Sequence, residues 1–235
     1  MKTCEIPSCQ NDDERFQLMR EGLFSAVVGD VMDLMGYRDQ FLPPGIQALR
    51  EDMIIVGRAM PVLEADDHGG EGPGRDNAML NQPFGLMLRA LDDLQKNEVY
   101  VCTGASHSYA LWGELMSTCA MNRGAVGAVV DGYSRDTRGI LDLNFPCFSR
   151  GRYAQDQRPR GKVIDLRCSI RMGAVSIQPG DIIFGDLDGV CVIPRQIETE
   201  VFEAAWQKAH GEKLVHEAIK GGMGAEAAWN QFGIM

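Results

Sequence analysis

Apolar residues recur along this chain in two rhythms. Up to about residue 160, helix-spaced apolar positions alternate with short unbroken apolar runs; from Lys162 the runs shorten and turn residues come every few positions. Asp12 to Met19 opens on acidic residues and predicts a short helix. Ser25 is placed to cap a second helix, with Val28, Val31, Met32 and Met35 along one side and Gly36 ending it. Phe41 to Gly45 (FLPPG) is a connector, Met53 to Leu63 a strand, and Ala65 to Arg75 a polar, glycine-rich loop. Pro83 to Leu94 predicts an amphipathic helix and Val99 to Cys102 a strand. In the stretch from Gly113 to Asp136 (GELMSTCAMNRGAVGAVVDGYSRD), Leu115, Met116, Cys119 and Ala120 share helical spacing and predict the buried face of a helix. Arg123-Gly124 stops that helix, and Ala125 to Val130 reads as a buried parallel strand. Thr137 to Leu143 predicts a short helix, Phe145 to Ser149 a strand, and Gly151 to Arg160 a basic loop. Beyond it, KVIDLRCSI, AVSI, DIIFGD and GVCVIP, separated by Gly173, Pro179-Gly180 and Asp188-Gly189, predict antiparallel turns, and Ile197 to Lys220 a long helix.

Helices alternating with parallel strands, followed by antiparallel turns, predict an α/β chain. No repeat or low-complexity linker divides it, so residues 25–220 are expected to form a single domain. Residues 1–24 would be an N-terminal tail with a short helix, and residues 221–235 a C-terminal tail. In open α/β sheets ligands bind beyond the carboxyl ends of the strands. Glu114, at a helix start, and Arg135-Asp136, beyond the Asp131-Gly132 turn, are thereby drawn to one edge. The loop Thr103 to Tyr109 (TGASHSY), rich in small residues, would adjoin that helix start and offer backbone amides to an anion.

Composition removes several functions. The net charge of −10 is spread without any basic block, which disfavours nucleic acid as a partner. No apolar run approaches a membrane span and the N-terminus has no apolar signal core, so a cytoplasmic chain away from the membrane is expected. Seven cysteines include no C-x-x-C pair. Cys102, Cys119, Cys147, Cys168 and Cys191 fall within apolar segments, where a reduced cysteine acts as a small hydrophobe.

Glu114, twenty intervening residues and then Arg135-Asp136 resemble the acidic-X20-Arg-Asp signature of the RraA-like family. The phrases ALWGELMSTCAMNRGAVGAVVDG, FPCFSRG and IQPGDIIFGDLDGVCVIP resemble it in the same order, from Ser25 to the C-terminal tail. That family holds the regulator of ribonuclease E activity and metal-dependent 4-hydroxy-4-methyl-2-oxoglutarate aldolases. The resemblance implies a swivelling α/β/α sandwich with a mixed sheet. It implies that Asp136 ligates Mg2+ or Mn2+, that Glu114 holds a metal-bound water, and that Arg135 grips the carboxylate of a small 2-oxo acid. Leu111, Trp112 and Gly113 would surround the substrate, while His107 and Tyr109, in the loop before Glu114, could shape a different substrate pocket or act in proton transfer. Glu212, from a neighbouring subunit of a homotrimer or dimer of trimers, would complete the catalytic set.

The activity implied is that of a divalent-metal-dependent carbon–carbon lyase. It would cleave a 4-hydroxy-2-oxo acid of the 4-hydroxy-4-methyl-2-oxoglutarate type to pyruvate and decarboxylate oxaloacetate, both through a metal-stabilised pyruvate enolate. The other branch of the family implies a protein-binding regulator without catalysis; the intact Glu114, Arg135 and Asp136 favour chemistry. Methyl transfer to a quinone lacks a convincing S-adenosylmethionine loop here. One departure stands out: the family motif usually carries a further acidic residue three positions after the aspartate, and this chain has Gly139.

From spacing alone other readings stay open. Arg135-Asp136 could be a local ion pair with Asp136 capping the next helix, and Glu114 could only complement a helix dipole. His107 could be a solvated loop residue, His68 is uncommitted, and His210 and His216, six apart, read as surface residues.

Overall fold

The longest strand, Ile55–Asp66, is the axis of the molecule. The computed structural model describes residues 5–67 and 82–234; His68 and most of the glycine-rich loop expected at 65–75 lie outside the described residues. In chain order the helices are α1 (Asp12–Gly22), α2 (Ser25–Leu34), α3 (Met87–Asp93), α4 (Glu114–Asn122), α5 (Thr137–Asp142), α6 (Glu198–Lys220) and α7 (Ala225–Phe232). The strands are β1 (Gln47–Ala48), β2 (Ile55–Asp66), β3 (Glu98–Thr103), β4 (Ala110–Trp112), β5 (Gly127–Val130), β6 (Tyr133–Ser134), β7 (Cys147–Ser149), β8 (Gly161–Leu166), β9 (Ile170–Met172), β10 (Val175–Ile177), β11 (Ile182–Asp186) and β12 (Gly189–Ile193).

The main sheet runs β1-β7-β5-β3-β2-β11-β12, with β8 also pairing to β2. Strands β2, β3, β5 and β7 are parallel, while β1, β8, β11 and β12 join antiparallel, so the mixed sheet implied by the family resemblance is what forms. The central strands β3 and β5 are buried along their whole length, which is why they read as continuous apolar runs rather than alternating ones. One apolar cluster, including Tyr100, Trp112, Phe145 and Phe148, fills one side of the sheet; a second, including Phe16, Val28, Phe184 and Phe202, packs α1, α2 and α6 against the other.

Four local expectations need correction. Ser25 is the first residue of α2 rather than its cap: its N–H and hydroxyl both donate to the Asp186 carboxylate at 2.6 Å, so β11 caps the helix from outside. Met35 lies outside that helix's buried stripe, which is formed by Val27, Val28, Val31 and Met32. In α4 the buried residues are Ser117 and Ala120, while Leu115 is 80% exposed and Cys119 is exposed. Ser117 can turn inward because its hydroxyl donates to the Gly113 carbonyl and accepts from the Trp112 indole, leaving no polar atom unpaired. The stretch after Lys220 also carries α7, which packs on α6.

The two terminal helices are tied to the sheet by one cation. Arg58 of β2 donates to both Asp12 carboxylate oxygens, to Glu198 and to the Gly180 carbonyl, and Arg15 also pairs with Glu198. Hydrogen bonding to Arg58 holds Asp12 below the usual carboxylate range; Glu198, which burial would push up, is brought below it by the same guanidinium. Among the described residues no helix is long and apolar enough to cross a membrane.

Candidate active site

The twenty residues between Glu114 and Arg135 have a structural reason. The chain leaves β4, forms α4, returns through β5, and enters β6, which pairs in parallel with β4: Ala110 faces Tyr133 and Trp112 faces Ser134. The Arg135 N–H then donates to the Trp112 carbonyl at 2.9 Å, so the start of α4 and the Arg-Asp pair end side by side. Neither β4 nor β6 has a sequence pattern of its own, at three and two residues.

Gly113 sits where that closure is tightest. A β-carbon there would lie 2.8 Å from Asp136 Oδ2 and 3.6 Å from Arg135 Cγ, so glycine lets the Asp136 carboxylate lie against the first turn of α4. Asp136 itself adopts a left-handed conformation (φ 53°), unusual for a residue other than glycine. It stands at the N-cap position of α5 with no side-chain capping bond, so its carboxylate is not spent on that helix.

Gly139 does for Glu114 what Gly113 does for Asp136. A β-carbon at 139 would overlap the Glu114 carboxyl group, so the residue type that departs from the family motif leaves room for the longer acid of α4.

Arg135 Nη1 lies 3.5 Å from Asp156 Oδ1 and Arg135 Nε lies 3.7 Å from Asp136 Oδ2. Both separations exceed good hydrogen-bond length, and the half-exposed guanidinium keeps its donors for a ligand. Leu111, Trp112, Gly113, Arg135, Asp136 and Asp156 line one cavity of about 440 Å³, whose other wall is apolar (Phe84, Met87, Leu91, Met116). Leu115 and Cys119 line it as well, which is where the outward apolar face of α4 goes. The size suits a small organic acid, with its charged end at Arg135 and its body along the apolar wall.

Two predicted site residues lie elsewhere in this chain, and Glu114, although it follows Gly113, is not among the cavity residues. His107 is not among the cavity residues; its Nε2 is 3.2 Å from Asp131 Oδ1. Asp131 also accepts from Arg150 Nε at 2.6 Å and from the Thr103 hydroxyl at 2.7 Å. Burial would push this carboxyl up, but the Thr103 and Arg150 hydrogen bonds bring it below the usual range. The loop carrying His107 does not adjoin α4, because β4 intervenes, and its Ser106 N–H donates to Asp66 rather than standing free for an anion. Glu212 lines a separate apolar cavity with Phe24, Val215 and Ile219; burial pushes its carboxyl up, against the pull of Lys208 3.9 Å away.

Sequence reading missed Asp156, Gln157 and Glu64. Asp156 and Gln157 come from an irregular loop without periodicity, fixed by the bridge of Asp156 to Ala110. Glu64 carried a signal, an acid within the apolar run VLEA, but it falls between the strand expected to end at Leu63 and the loop expected from Ala65.

For a divalent cation the donor set is thin. Among the described residues no three His, Cys, Asp or Glu side chains converge as a cage. Mg2+ and Mn2+ are nevertheless held by one or two carboxylates with waters completing the shell. The half-exposed Asp136 carboxylate, which lines the cavity, fits that mode.

This fold and site define a mixed-sheet α/β protein with an Arg-Asp pocket at the strand ends. A family model described as "RraA-like: Aldolase/RraA" matches residues 25–192, and the chain belongs to the RraA-like family. It is 33% identical over 149 residues to a Halalkalibacterium halodurans protein named "Putative 4-hydroxy-4-methyl-2-oxoglutarate aldolase", covering 63% of this chain and 70% of that one. It is 29% identical over 205 residues to protein DlpA of Legionella pneumophila, covering 87% of this chain but only 31% of DlpA, a much longer protein. The crystal structure of Streptomyces coelicolor RraAS2, described as an unusual member of the RNase ES inhibitor RraA protein family, superposes with a TM-score of 0.73. At 21% identity, over 89% of this chain and 99% of that one, it shares the fold.

Proposed function

We propose that this chain is a divalent-metal-dependent carbon–carbon lyase that cleaves a 4-hydroxy-2-oxo acid to pyruvate and also decarboxylates oxaloacetate. The observation that carries the reading is the β4–β6 pairing, which sets Arg135, Asp136 and the free start of α4 on the rim of one cavity. The planar Arg135 fork takes the carboxylate of the 2-oxo acid and fixes which way the molecule enters. Asp156, 3.5 Å behind that fork, balances its charge and keeps it from folding back on Asp136. The apolar wall excludes water from the carbon–carbon bond that breaks. In cleavage the C3–C4 electron pair stays on C3 and the C4 hydroxyl proton passes to a water held by Glu114; in decarboxylation carbon dioxide leaves from C3 and the electron pair stays there. Asp136 would hold Mg2+ or Mn2+ with Glu114 beside it, and the ion when bound would supply a Lewis acid for the negative charge that develops on the 2-oxo oxygen.

The protonating acid in this reading is Glu212 of a second copy in a homotrimer. Two exposed apolar regions support such an assembly: Leu88 and Leu115, 60% and 80% exposed, beside the Arg135 cavity, and Leu34, Leu214 and Trp229, 54–84% exposed, on the helices around Glu212.

The test is pyruvate release from oxaloacetate and from 4-hydroxy-4-methyl-2-oxoglutarate, with magnesium and with excess chelator. Turnover that needs the metal and vanishes in Asp136→Ala is the expected result; equal turnover in chelator removes the metal dependence, and none in either condition removes the lyase reading and leaves a non-catalytic regulator. Gly139→Ala, which displaces Glu114 without removing a polar group, is expected to lower turnover. Subunit exchange between Asp136→Ala and Glu212→Gln should restore about a quarter of the sites if each lies between two subunits.

A further inference from the structure

Behind the apolar wall of the Arg135 cavity lies an acid that the reaction described above does not use. Glu64, near the end of β2, is 1% exposed. The register between β2 and β8 shifts between Leu63 and Glu64, a local irregularity that re-aims the side chain. One carboxyl oxygen, Oε2, accepts from Gln157 Nε2 at 2.6 Å; the other, Oε1, has no hydrogen-bond partner among the described residues. A buried acid with half its hydrogen-bonding capacity unmet is costly, and one that persists calls for a functional reason.

Among the described residues, the groups facing Glu64 give it no cation. Asp66 follows on the same strand, and Tyr100 and Cys102 stand on β3, on the same face of the sheet by register. Tyr109 donates to Asp66 at 2.5 Å, and Lys162 of β8 is paired with Asp67 at 2.9 Å. Burial, with Asp66 adding to it, pushes the Glu64 carboxyl up to about 8, so it is mostly a neutral acid at pH 7.

Its partner faces the cavity. Gln157 is a lining residue, 3% exposed, and directly follows Asp156, which faces Arg135. With its NH2 group committed to Glu64, the amide has its carbonyl oxygen left to present to a ligand. The other uncharged polar side chain of the lining, Thr118, turns its hydroxyl back onto the Glu114 carbonyl at 3.1 Å. A pocket with a carboxylate clamp at one end, apolar walls and one buried acceptor fits a 2-oxo acid bearing a hydroxyl group further along its chain.

We propose that Gln157, fixed from behind by Glu64, recognises the 4-hydroxyl group of the substrate and so selects hydroxylated 2-oxo acids over unhydroxylated ones. This rests on the reading of the cavity as the site for a 2-oxo acid. Gln157 touches the ligand; Glu64 is a positioning residue that decides which end of the amide points inward. A site built to hydrogen-bond a hydroxyl discriminates strongly against the analogue without it, because its own polar group is then left unpaired.

The magnesium-loaded protein is assayed for cleavage of 4-hydroxy-2-oxoglutarate and for decarboxylation of oxaloacetate, which shares the 2-oxo acid end but has no hydroxyl. Gln157→Leu is expected to lower kcat/KM for cleavage roughly ten- to hundred-fold while decarboxylation stays within about twofold. Glu64→Leu should reproduce that split, and Glu64→Gln, which keeps a partner for the amide, should restore it. A parallel loss of both activities in Gln157→Leu, or unchanged cleavage, overturns the proposal while leaving the lyase reading in place. If the wild-type chain turns over neither compound, the lyase reading falls by itself. Recognition is then read from thermal shifts with 4-hydroxy-2-oxoglutarate and 2-oxoglutarate: a wild-type preference for the hydroxylated acid, erased in Gln157→Leu, supports the proposal. Equal shifts in the wild type overturn it.

Discussion

Glu64 and Asp131 stand at the carboxyl ends of two parallel strands of one sheet, with β3 between them, and both are withdrawn from water. Asp131 meets Arg150, the Thr103 hydroxyl and His107, stays ionised, and lies below the usual carboxylate range. Glu64 meets a single neutral amide and is driven the other way, to about 8. Glu64 is the deeper of the two, buried where Asp131 is only half-buried, and its partners differ as well, so depth and the supply of cations and donors together fix the charge state at each strand end. The polar edge of this sheet accordingly holds one permanent anion in a saturated cluster and one neutral acid beside the cavity.

The two acids should also pull stability in opposite directions with pH, and the largest expected effect comes from Glu64. Its folded pKa lies above the unfolded carboxyl value, so the folded state binds more protons and stability falls as pH rises from about 4.5 to about 8. Over that window the loss should reach several kcal/mol, and Glu64→Gln should abolish it. Urea denaturation of both forms at pH 5 and pH 8.5 measures this; identical pH slopes would show that Glu64 is ionised throughout. Asp131 behaves oppositely: its contribution is present above the unfolded carboxyl pKa and is lost as pH falls through its depressed folded value.

A smaller but still large effect is expected from Arg150→Ala. It strips the closest cation from a carboxylate whose side chain is 13% exposed, and about 2–4 kcal/mol should be lost at pH 7. Adding Asp131→Asn should recover part of that loss, and absence of any recovery would show that Arg150 acts through packing alone. Least affected should be His107→Ala, below about 1 kcal/mol, since its side chain is 44% exposed and shares Asp131 with stronger donors. A larger loss there would mean that the imidazole, not Arg150, neutralises Asp131.

Much of the scaffold could be read before the structure because its signals are local. The apolar runs of β3 and β5, the Arg123-Gly124 stop of α4 and the hairpin turns after Lys162 all state their conformation within a few residues. The Arg135, Asp136, Gly113 and Trp112 grouping was legible through the motif, although its cause, the pairing of β4 with β6, was not: strands of three and two residues are created by the partner they meet. The apolar face of α4 misled because residues lining a pocket obey the same periodicity as residues in a core. The Glu64–Gln157 contact spans 93 positions and joins a strand to an irregular loop, so nothing in either neighbourhood announces the other.

The guanidinium of Arg58 has a consequence for how this molecule comes apart. It binds Asp12 of α1 and Glu198 of α6, two segments that both lie outside residues 25–192, and among the described residues those two acids have no equally close cation besides Arg15. Detaching α6 leaves Arg15 and Arg58 with Asp12 alone, a surplus positive charge in a half-buried setting, whereas α1 carries off Asp12 and Arg15 together and leaves Arg58 paired with Glu198, so α1 should open whenever α6 does but not the reverse. In native-state hydrogen exchange the amides of α1 would then report an opening free energy no higher than those of α6. A fragment trimmed to the matched residues would lose both acids at once and expose a bare cation on the central strand.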